Sequence, residues 1–174
     1  DTGIHAVTKL DPSGHVLWTR DLSTGAAQLL DPCAVSVRQD GTVLVLDSEQ
    51  GWIGQLAQNG DFQGKFGGPD LRLYHPRGMA VTSAGEIYVA DTGGSRIVHL
   101  DARGRLVGTF GIRGTGKGTL QQPTGVAVTS TGRVFALDPS AGKIVRFAPT
   151  GGAEREWPIA SNDTVHGPRI VSTS

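Results

Sequence analysis

The sequence predicts an all-β fold assembled from one four-strand unit used repeatedly, and three observations carry that prediction. Internal similarity recurs at intervals of 44, 47 and 45 residues, marked by Pro32, Pro76, Pro123 and Pro168. Each interval holds four short runs rich in Val, Ile, Leu and aromatics, divided by Gly, Pro, Asp or Ser, which is strand-and-turn punctuation. No run sustains a 3.6-residue apolar period, so helices are not expected. Four strands in about 40–50 residues make one blade of a β-propeller.

The first strand of each unit opens as Pro32-Cys-Ala-Val-Ser-Val, Pro76-Arg-Gly-Met-Ala-Val and Pro123-Thr-Gly-Val-Ala-Val, and Pro168-Arg-Ile-Val-Ser begins another. The fourth residue after each Pro is small (Ser36, Ala80, Ala127, Ser172), which suits the innermost strand, where blades crowd around the axis. The second strands run Gly41 to Asp47, Gly85 to Asp91 and Gly132 to Asp138. Ile87-Tyr88-Val89-Ala90 is apolar throughout instead of alternating, as expected for a sheet covered on both faces. In the third strands Ile53, Ile97 and Ile144 precede Leu56, Leu100 and Phe147 by three residues, and Val7 with Leu10 joins the same register. Those Ile and Val are expected to be buried. Between them Lys9, Gln55, His99 and Arg146 form an expected wet column, with His99 a solvated strand residue. The fourth strands follow Gly60, Gly104 and Gly151 and carry Phe66, Phe110 and Trp157 six residues on; Arg20 breaks this aromatic column.

The beginning of the chain fits the pattern at an offset of 90: Asp1-Thr-Gly repeats Asp91-Thr-Gly, and Leu10, Asp11 and Gly14 match Leu100, Asp101 and Gly104. The expected layout is a partial blade at 1–20, blades at 32–67, 76–111 and 123–158, and the start of another at 168–174. That makes two strands, three sets of four, and one. A closed four-blade ring would need sixteen. An open arc exposes apolar blade faces at both ends, so further blades of a longer chain, or another subunit, are expected to cover them.

Composition narrows the function classes. The 26 glycines among 174 residues follow no three-residue period, which excludes collagen, and 37% hydrophobic content is too high for a disordered chain. Lys plus Arg and Asp plus Glu are 16 each, so net charge is zero, and no bulk positive charge is available to grip phosphates. Cys33 is the sole cysteine, so neither an intrachain disulfide nor a multi-cysteine metal site can form. No run of 18 apolar residues occurs. Residue 1 is Asp and no signal segment follows it, which reads as a processed, trimmed or partly represented chain. The compartment stays open, with a slight lean to a secreted or periplasmic location.

The motifs resemble NHL repeats, whose pattern is Pro-x-Gly-Val/Ile-Ala-Val, then Gly-x-Ile-Tyr-Val-Ala-Asp-Thr-Gly, then Arg-Ile, and Phe-Gly before a Gly-rich loop. Pro76 to Gly111 carries nearly all of it, including Ala90-Asp91-Thr92-Gly93 and Arg96-Ile97. Pro123 to Trp157 carries it more loosely, and Pro32 to Gly67 has Cys33-Ala34 for x-Gly and Trp52 where Arg precedes Ile. The resemblance spans essentially the whole chain. It implies a propeller, usually of six blades, but not one function. Amidating-lyase relatives of this fold are expected to place zinc-binding His near the axis. Here no His follows a repeat Pro, and His5, His15, His75, His99 and His166 share no column.

Several residues invite chemistry. Gly111-Ile-Arg-Gly-Thr-Gly-Lys-Gly-Thr119 approaches a phosphate-binding loop, but such a loop needs a following helix, and Gln121-Gln122-Pro123 leads to a strand. Asp1, Asp47, Asp91 and Asp138 end every second strand and read as turn chemistry, the carboxylate accepting local N–H groups; a hard cation would need converging oxygens. The residues after each repeat Pro (Cys33, Arg77, Thr124 and Arg169) stand at the mouth of the inner strands. Arg77 and Arg169 could hold a carboxylate, a phosphate or an acidic partner residue. Cys33 is expected to be a buried small residue. Asn162-Asp163-Thr164 is a glycosylation acceptor pattern in a eukaryotic secreted chain. Trp52, Trp157 and Tyr74 suit either rim contacts or core.

The reading that follows is a non-catalytic binding and scaffolding module that engages a protein partner or small ligand, with no catalytic residue assigned. No cofactor is expected; Ca²⁺ or Zn²⁺ finds no support in the visible columns. The rival is a metal-dependent lyase or hydrolase completed on the axis by blades outside this segment. A third reading, single-stranded RNA binding, needs a basic aromatic face, which the neutral balance opposes.

Overall fold

In a computed structural model, residues 5–159 are described, and they form fourteen strands. Two strands, β1 (Ala6–Leu10) and β2 (Val16–Asp21), make a hairpin. Three four-stranded sheets follow: β3 (Pro32–Val37), β4 (Val43–Asp47), β5 (Trp52–Leu56) and β6 (Phe62–Gly67); β7 (Gly78–Val81), β8 (Ile87–Asp91), β9 (Arg96–Leu100) and β10 (Leu106–Phe110); β11 (Gly125–Val128), β12 (Val134–Asp138), β13 (Lys143–Phe147) and β14 (Ala153–Pro158). Each sheet is an antiparallel meander in sequence order, the connection that short turns allow. The sole helical element among the described residues is a 3-10 turn at Gly68–Asp70, and no helix there is long and apolar enough to cross a membrane. The fifteenth strand expected from Pro168 lies outside the described residues.

Sheets become blades because every interior face meets a neighbour. All five residues of β4 and all five of β8 are buried. One apolar cluster joins the β1–β2 hairpin and the segment after it (Val7, Leu22, Ala27, Leu29) to the second sheet (Val43, Val45, Leu56, Phe62). A second packs Leu44, Leu46, Ile53 and Phe66 against Met79, Ile87, Val89, Val98 and Leu100. A third packs Tyr88, Ala90, Ile97 and Phe110 against Val126, Val134, Ala136, Val145 and Phe147. Residues at the same place in successive repeats thus do the same work, offset by one blade.

The inner strands run side by side, with β7 between β3 and β11. The small column serves this crowding: Ser36 Oγ donates to Met79 O at 3.2 Å, tying β3 to β7. Gly78 is closer still; a Cβ there would lie 2.6 Å from Thr124 O.

The structure corrects two expectations of the third strands. His99 is not solvated: its side chain is 13% exposed, its ring stacks on Tyr88 at 4.2 Å and 9°, and Nε2 lies 3.4 Å from Glu86 Oε1. The slot is wet only at a blade's rim, and an aromatic neighbour there turns it into a stacking site. Val7 and Ile144 are half-buried rather than buried. Ile53 and Ile97 each lie in a cluster shared with the next blade, whereas Ile144 belongs to none of the three clusters.

Candidate functional site: the mouth of the inner strands

Inner strands start, and second strands end, at the same end of the arc, so the segments that lead into each blade pass over that end. Each is held by the aspartate that closes the second strand. Asp47, Asp91 and Asp138 are all fully buried. Asp47 accepts the N–H groups of Leu30, Asp31 and Gln50. Asp138 accepts those of Gln121, Gln122 and Ala141. Asp91 accepts Tyr74 N–H at 2.7 Å and the Arg96 guanidinium at 2.7 Å. The role is broader than a local turn: Asp47 and Asp138 each fasten a segment 16 or 17 residues back to the turn ahead, and Asp91 ties Tyr74 to the Arg96 side chain at the start of β9.

Beneath the mouth a second column anchors the same segments. Leu29, Leu73 and Leu120 each stand three residues before the repeat Pro; Leu29 and Leu120 are fully buried and Leu73 packs against the second cluster. This spacing is visible in the sequence once the prolines are aligned, and it is the signal that sequence reading missed. With the Leu inward, the neighbouring positions point outward. In the segment before β7 these are Arg72, Tyr74 and His75, all exposed. Arg96 reaches Arg72 O at 3.2 Å and Gly93 N–H donates to Tyr74 O at 2.8 Å, so the backbone is clamped. Arg72 and His75 hold φ of 49° and 47°, a left-handed conformation that costs a non-glycine residue about 1 kcal/mol.

Three of the four residues predicted at the mouth are described, and the packing brings them together; Arg169 lies outside the described residues. Arg77 is exposed at the start of β7, and its N–H donates to Ala90 O at 3.1 Å. Thr124 is half-buried at the start of the adjacent β11, its N–H on Leu137 O at 2.9 Å. Cys33 is half-buried on β3, with Sγ 3.4 Å from Leu46 O and 3.3 Å from Pro76 O. Burial pushes its thiol up to about 12, the charges of Asp31 and Asp47 add to that, and Arg77 opposes it. A neutral thiol with carbonyl partners packs as a small residue and does not attack.

The Gly-rich loop from Gly111 holds one of the chain's own carboxylates. Its Gly118 N–H donates to Glu156 Oε1 at 2.7 Å, and Lys143 Nζ bridges Gly116 O at 3.1 Å and the same carboxylate oxygen at 2.8 Å. Those contacts, Lys143 first, hold Glu156 below the usual carboxylate range. A built-in carboxylate occupies the donor a phosphate would need. Among the described residues no three His, Cys, Asp or Glu side chains gather as a metal site. The aromatics divide: Tyr74 is exposed, Trp52 is half-buried against the first cluster with Lys65 Nζ 4.9 Å over its ring, and Trp157 stacks near Phe135 under Arg155 and Arg146. The acceptor pattern at Asn162 and the aspartate at position 1 fall outside the described residues.

Radial four-stranded blades with aligned inner strands define a β-propeller. Within it residues 73–100 match the family model of the NHL repeat. No curated protein matches the sequence. Among solved structures, a catalytically inactive virginiamycin B lyase from Staphylococcus aureus with quinupristin superposes with a TM-score of 0.68 at 17% identity, over 92% of this chain and 51% of that one. A protein of unknown function from Bacteroides caccae gives 0.67 at 16%, over 88% and 59%. Dihydro-heme d1 dehydrogenase NirN in complex with DHE gives 0.62 at 16%, over 91% and 34%. At such identities the likeness is one of fold, and the chain spans about half the length of the lyase.

Proposed function

We propose that this propeller segment is a non-catalytic binding and scaffolding module whose mouth engages a protein partner or a small ligand. One comparison within the chain supports the reading. Counted from the repeat Pro, the equivalent positions are Gln28, Leu30, Asp31 and Cys33 in the first full repeat, and Thr119, Gln121, Gln122 and Thr124 in the third. In the second they are Arg72, Tyr74, His75 and Arg77. The fold's needs are the same at all three, so packing does not call for two arginines, an imidazole and an exposed tyrosine in one of them. Arg72 and Arg77 are both exposed. Exposed aromatic and arginine side chains on a clamped backbone are what interface hot spots use. The same reading has the open blade faces covered by further blades or another subunit.

The likeness to virginiamycin B lyase favours a second reading, an enzyme whose site is completed on the axis by blades outside this segment. One experiment separates the two. Partners are captured by crosslinking on the intact protein, identified, and their affinity is measured against Tyr74→Ala and Arg77→Glu. A loss of about tenfold or more for each, the effect of about 1.4 kcal/mol, is expected; unchanged affinity overturns the binding role of the mouth. Stoichiometric zinc with lyase turnover in the intact protein would establish the rival.

A further inference from the structure

The charge of this chain balances overall but not along the segments that lead into its blades. The first, residues 22–31, holds one carboxylate, Asp31, and no cation. The second and third, residues 68–77 and 111–124, hold Arg72, Arg77, Arg113 and Lys117 against Asp70 alone. Lys117 adds to Lys143 in holding Glu156 below the usual carboxylate range. Arg72, Arg77 and Arg113 are exposed. Two large apolar side chains of the same segments are exposed with them, Tyr74 at 62% and Ile112 at 72%.

Hydrogen bonds bring these residues to one place, with the turn after β8 as the hub. Gly93 N–H donates to Tyr74 O at 2.8 Å, and Arg113 Nη2 donates to Gly93 O at 2.7 Å. The two linking segments are thus fixed to opposite ends of one glycine. A Cβ on Gly93 would collide with Tyr74 Cδ1, so the tyrosine ring rests on the turn that Arg113 reaches. Ile112 is held from beneath: Leu120 N–H donates to Ile112 O at 2.8 Å, Gly114 N–H donates to Leu120 O at 3.0 Å, and Leu120 is fully buried. His75 meets the Tyr74 ring edge-on at 4.6 Å and 60°, and Arg77 follows the buried Pro76. The carboxylate beneath, Asp91, is fully buried and its charge is met by Arg96. Apolar side chains rimmed by arginines on a fixed backbone have the composition of a protein-binding patch.

We propose that Arg72, Tyr74, Arg77, Ile112 and Arg113 form one surface that takes an acidic segment of a protein partner, a stretch in which Asp or Glu flank a large apolar side chain. Each guanidinium takes a carboxylate through two N–H donors, and the apolar side chain lies against Tyr74 and Ile112. A nucleic acid fits this surface less well. Ile112 offers no face for a base to stack on, His75 fills one approach to Tyr74, and a chain of zero net charge supplies no long track for phosphates. The inference rests on the reading of the mouth as a binding surface and adds the chemistry of what is bound.

The test is fluorescence anisotropy on the intact protein with three labelled probes: the peptide acetyl-Gly-Glu-Asp-Leu-Glu-Leu-Asp-Glu-Gly-amide, its counterpart with Gln and Asn for every Glu and Asp, and decauridylate. The acidic peptide is expected to bind at least about tenfold more tightly than its amide counterpart, and to weaken as salt is added. Arg113→Gln and Ile112→Ser are each expected to weaken it about fivefold or more, with thermal midpoints unchanged. Arg103→Gln removes an exposed cation from the turn between β9 and β10, at the opposite end of the same blade, and is expected to leave the affinity unchanged. Equal affinity for the two peptides, or a loss with Arg103→Gln as large as with Arg113→Gln, overturns the proposal. Tighter binding of decauridylate than of the acidic peptide assigns the surface to nucleic acid and also overturns it. The binding role of the mouth is judged separately, by the captured partner's response to Tyr74→Ala and Arg77→Glu. If both weaken that partner while Ile112→Ser and Arg113→Gln do not, the mouth reading stands and the acidic-segment surface falls.

Discussion

Asp138 shows what a single buried side chain does in this fold. Its two oxygens take three backbone N–H groups from the segment before β11 and the turn after β12. Asp138→Asn keeps the size but turns one acceptor into a donor facing a donor. The expected cost is about 2 kcal/mol, read as a lowered urea midpoint with an unchanged slope. Cys33 gives the complementary case of a group silenced by its surroundings. An unfolded thiol releases its proton near 9, while this one holds it to about 12. Between those values the unfolded chain binds fewer protons than the folded one, so this group's contribution to stability falls as pH rises through that window. A thiol reagent at pH 8.5 is expected to label Cys33 slowly in the folded chain and at once in denaturant. Fast labelling of the folded chain would mean that the thiol is not held against Leu46 O and Pro76 O as described. In sequence both residues look like ordinary turn and strand residues; only Asp138's column position hinted at a role, and the reach of its carboxylate across 16 or 17 residues could not be read from spacing.

At the scale of elements the strands obey the repeat closely. Sequence punctuation placed the second strands at Gly41 to Asp47, Gly85 to Asp91 and Gly132 to Asp138, and the observed ones start two residues later and end at the same aspartates. Periodicity and turn residues suffice because each strand's geometry is local. Contacts between elements are less legible. Arg20 occupies the aromatic column of the fourth strand, yet that hairpin still presents a ring to its neighbour: Trp18, two residues earlier on the same strand face, lies over Gly60 and donates Nε1–H to Gln58 O at 3.1 Å. Arg20 beside it donates to Asn59 O at 3.1 Å. The column is thus shifted by two rather than broken. Gly78 marks the opposite extreme, where backbone meets backbone between β7 and β11. Gly78→Ala is expected to destabilise by about 1–3 kcal/mol, because the obstacle is the Thr124 carbonyl and no side chain can swing away. An unchanged thermal midpoint in this variant would show that the inner strands are not so close.

For the whole molecule, stability is graded along the arc, as in repeat proteins whose units contact only their neighbours. Strands β8 and β9 have cover on both faces, from the second and third clusters. Among the described residues the β1–β2 hairpin packs on the second sheet alone, and Leu10, Val16 and Leu17 are exposed. Two-stranded hairpins are marginal alone. Amide hydrogen exchange is therefore expected to be fastest in β1 and β2 and slowest in β8 and β9; uniform protection would contradict the gradient.

The sequence by itself determined the all-β class, the repeat length, the strand order and the small inner column, because strand periodicity, glycine turns and proline strand starts act over a few residues each. It also drew attention to the residues after each repeat Pro. Only the tertiary structure decided which carbonyls Cys33 packs on, that His99 is stacked rather than wet, that Glu156 fills the Gly-rich loop, and that Val35 and Val37 are exposed while Met79, Val126 and Val128 are not. Those outcomes depend on which neighbour packs against a residue, and in a radial fold that neighbour comes from another strand or another blade, beyond the reach of local spacing.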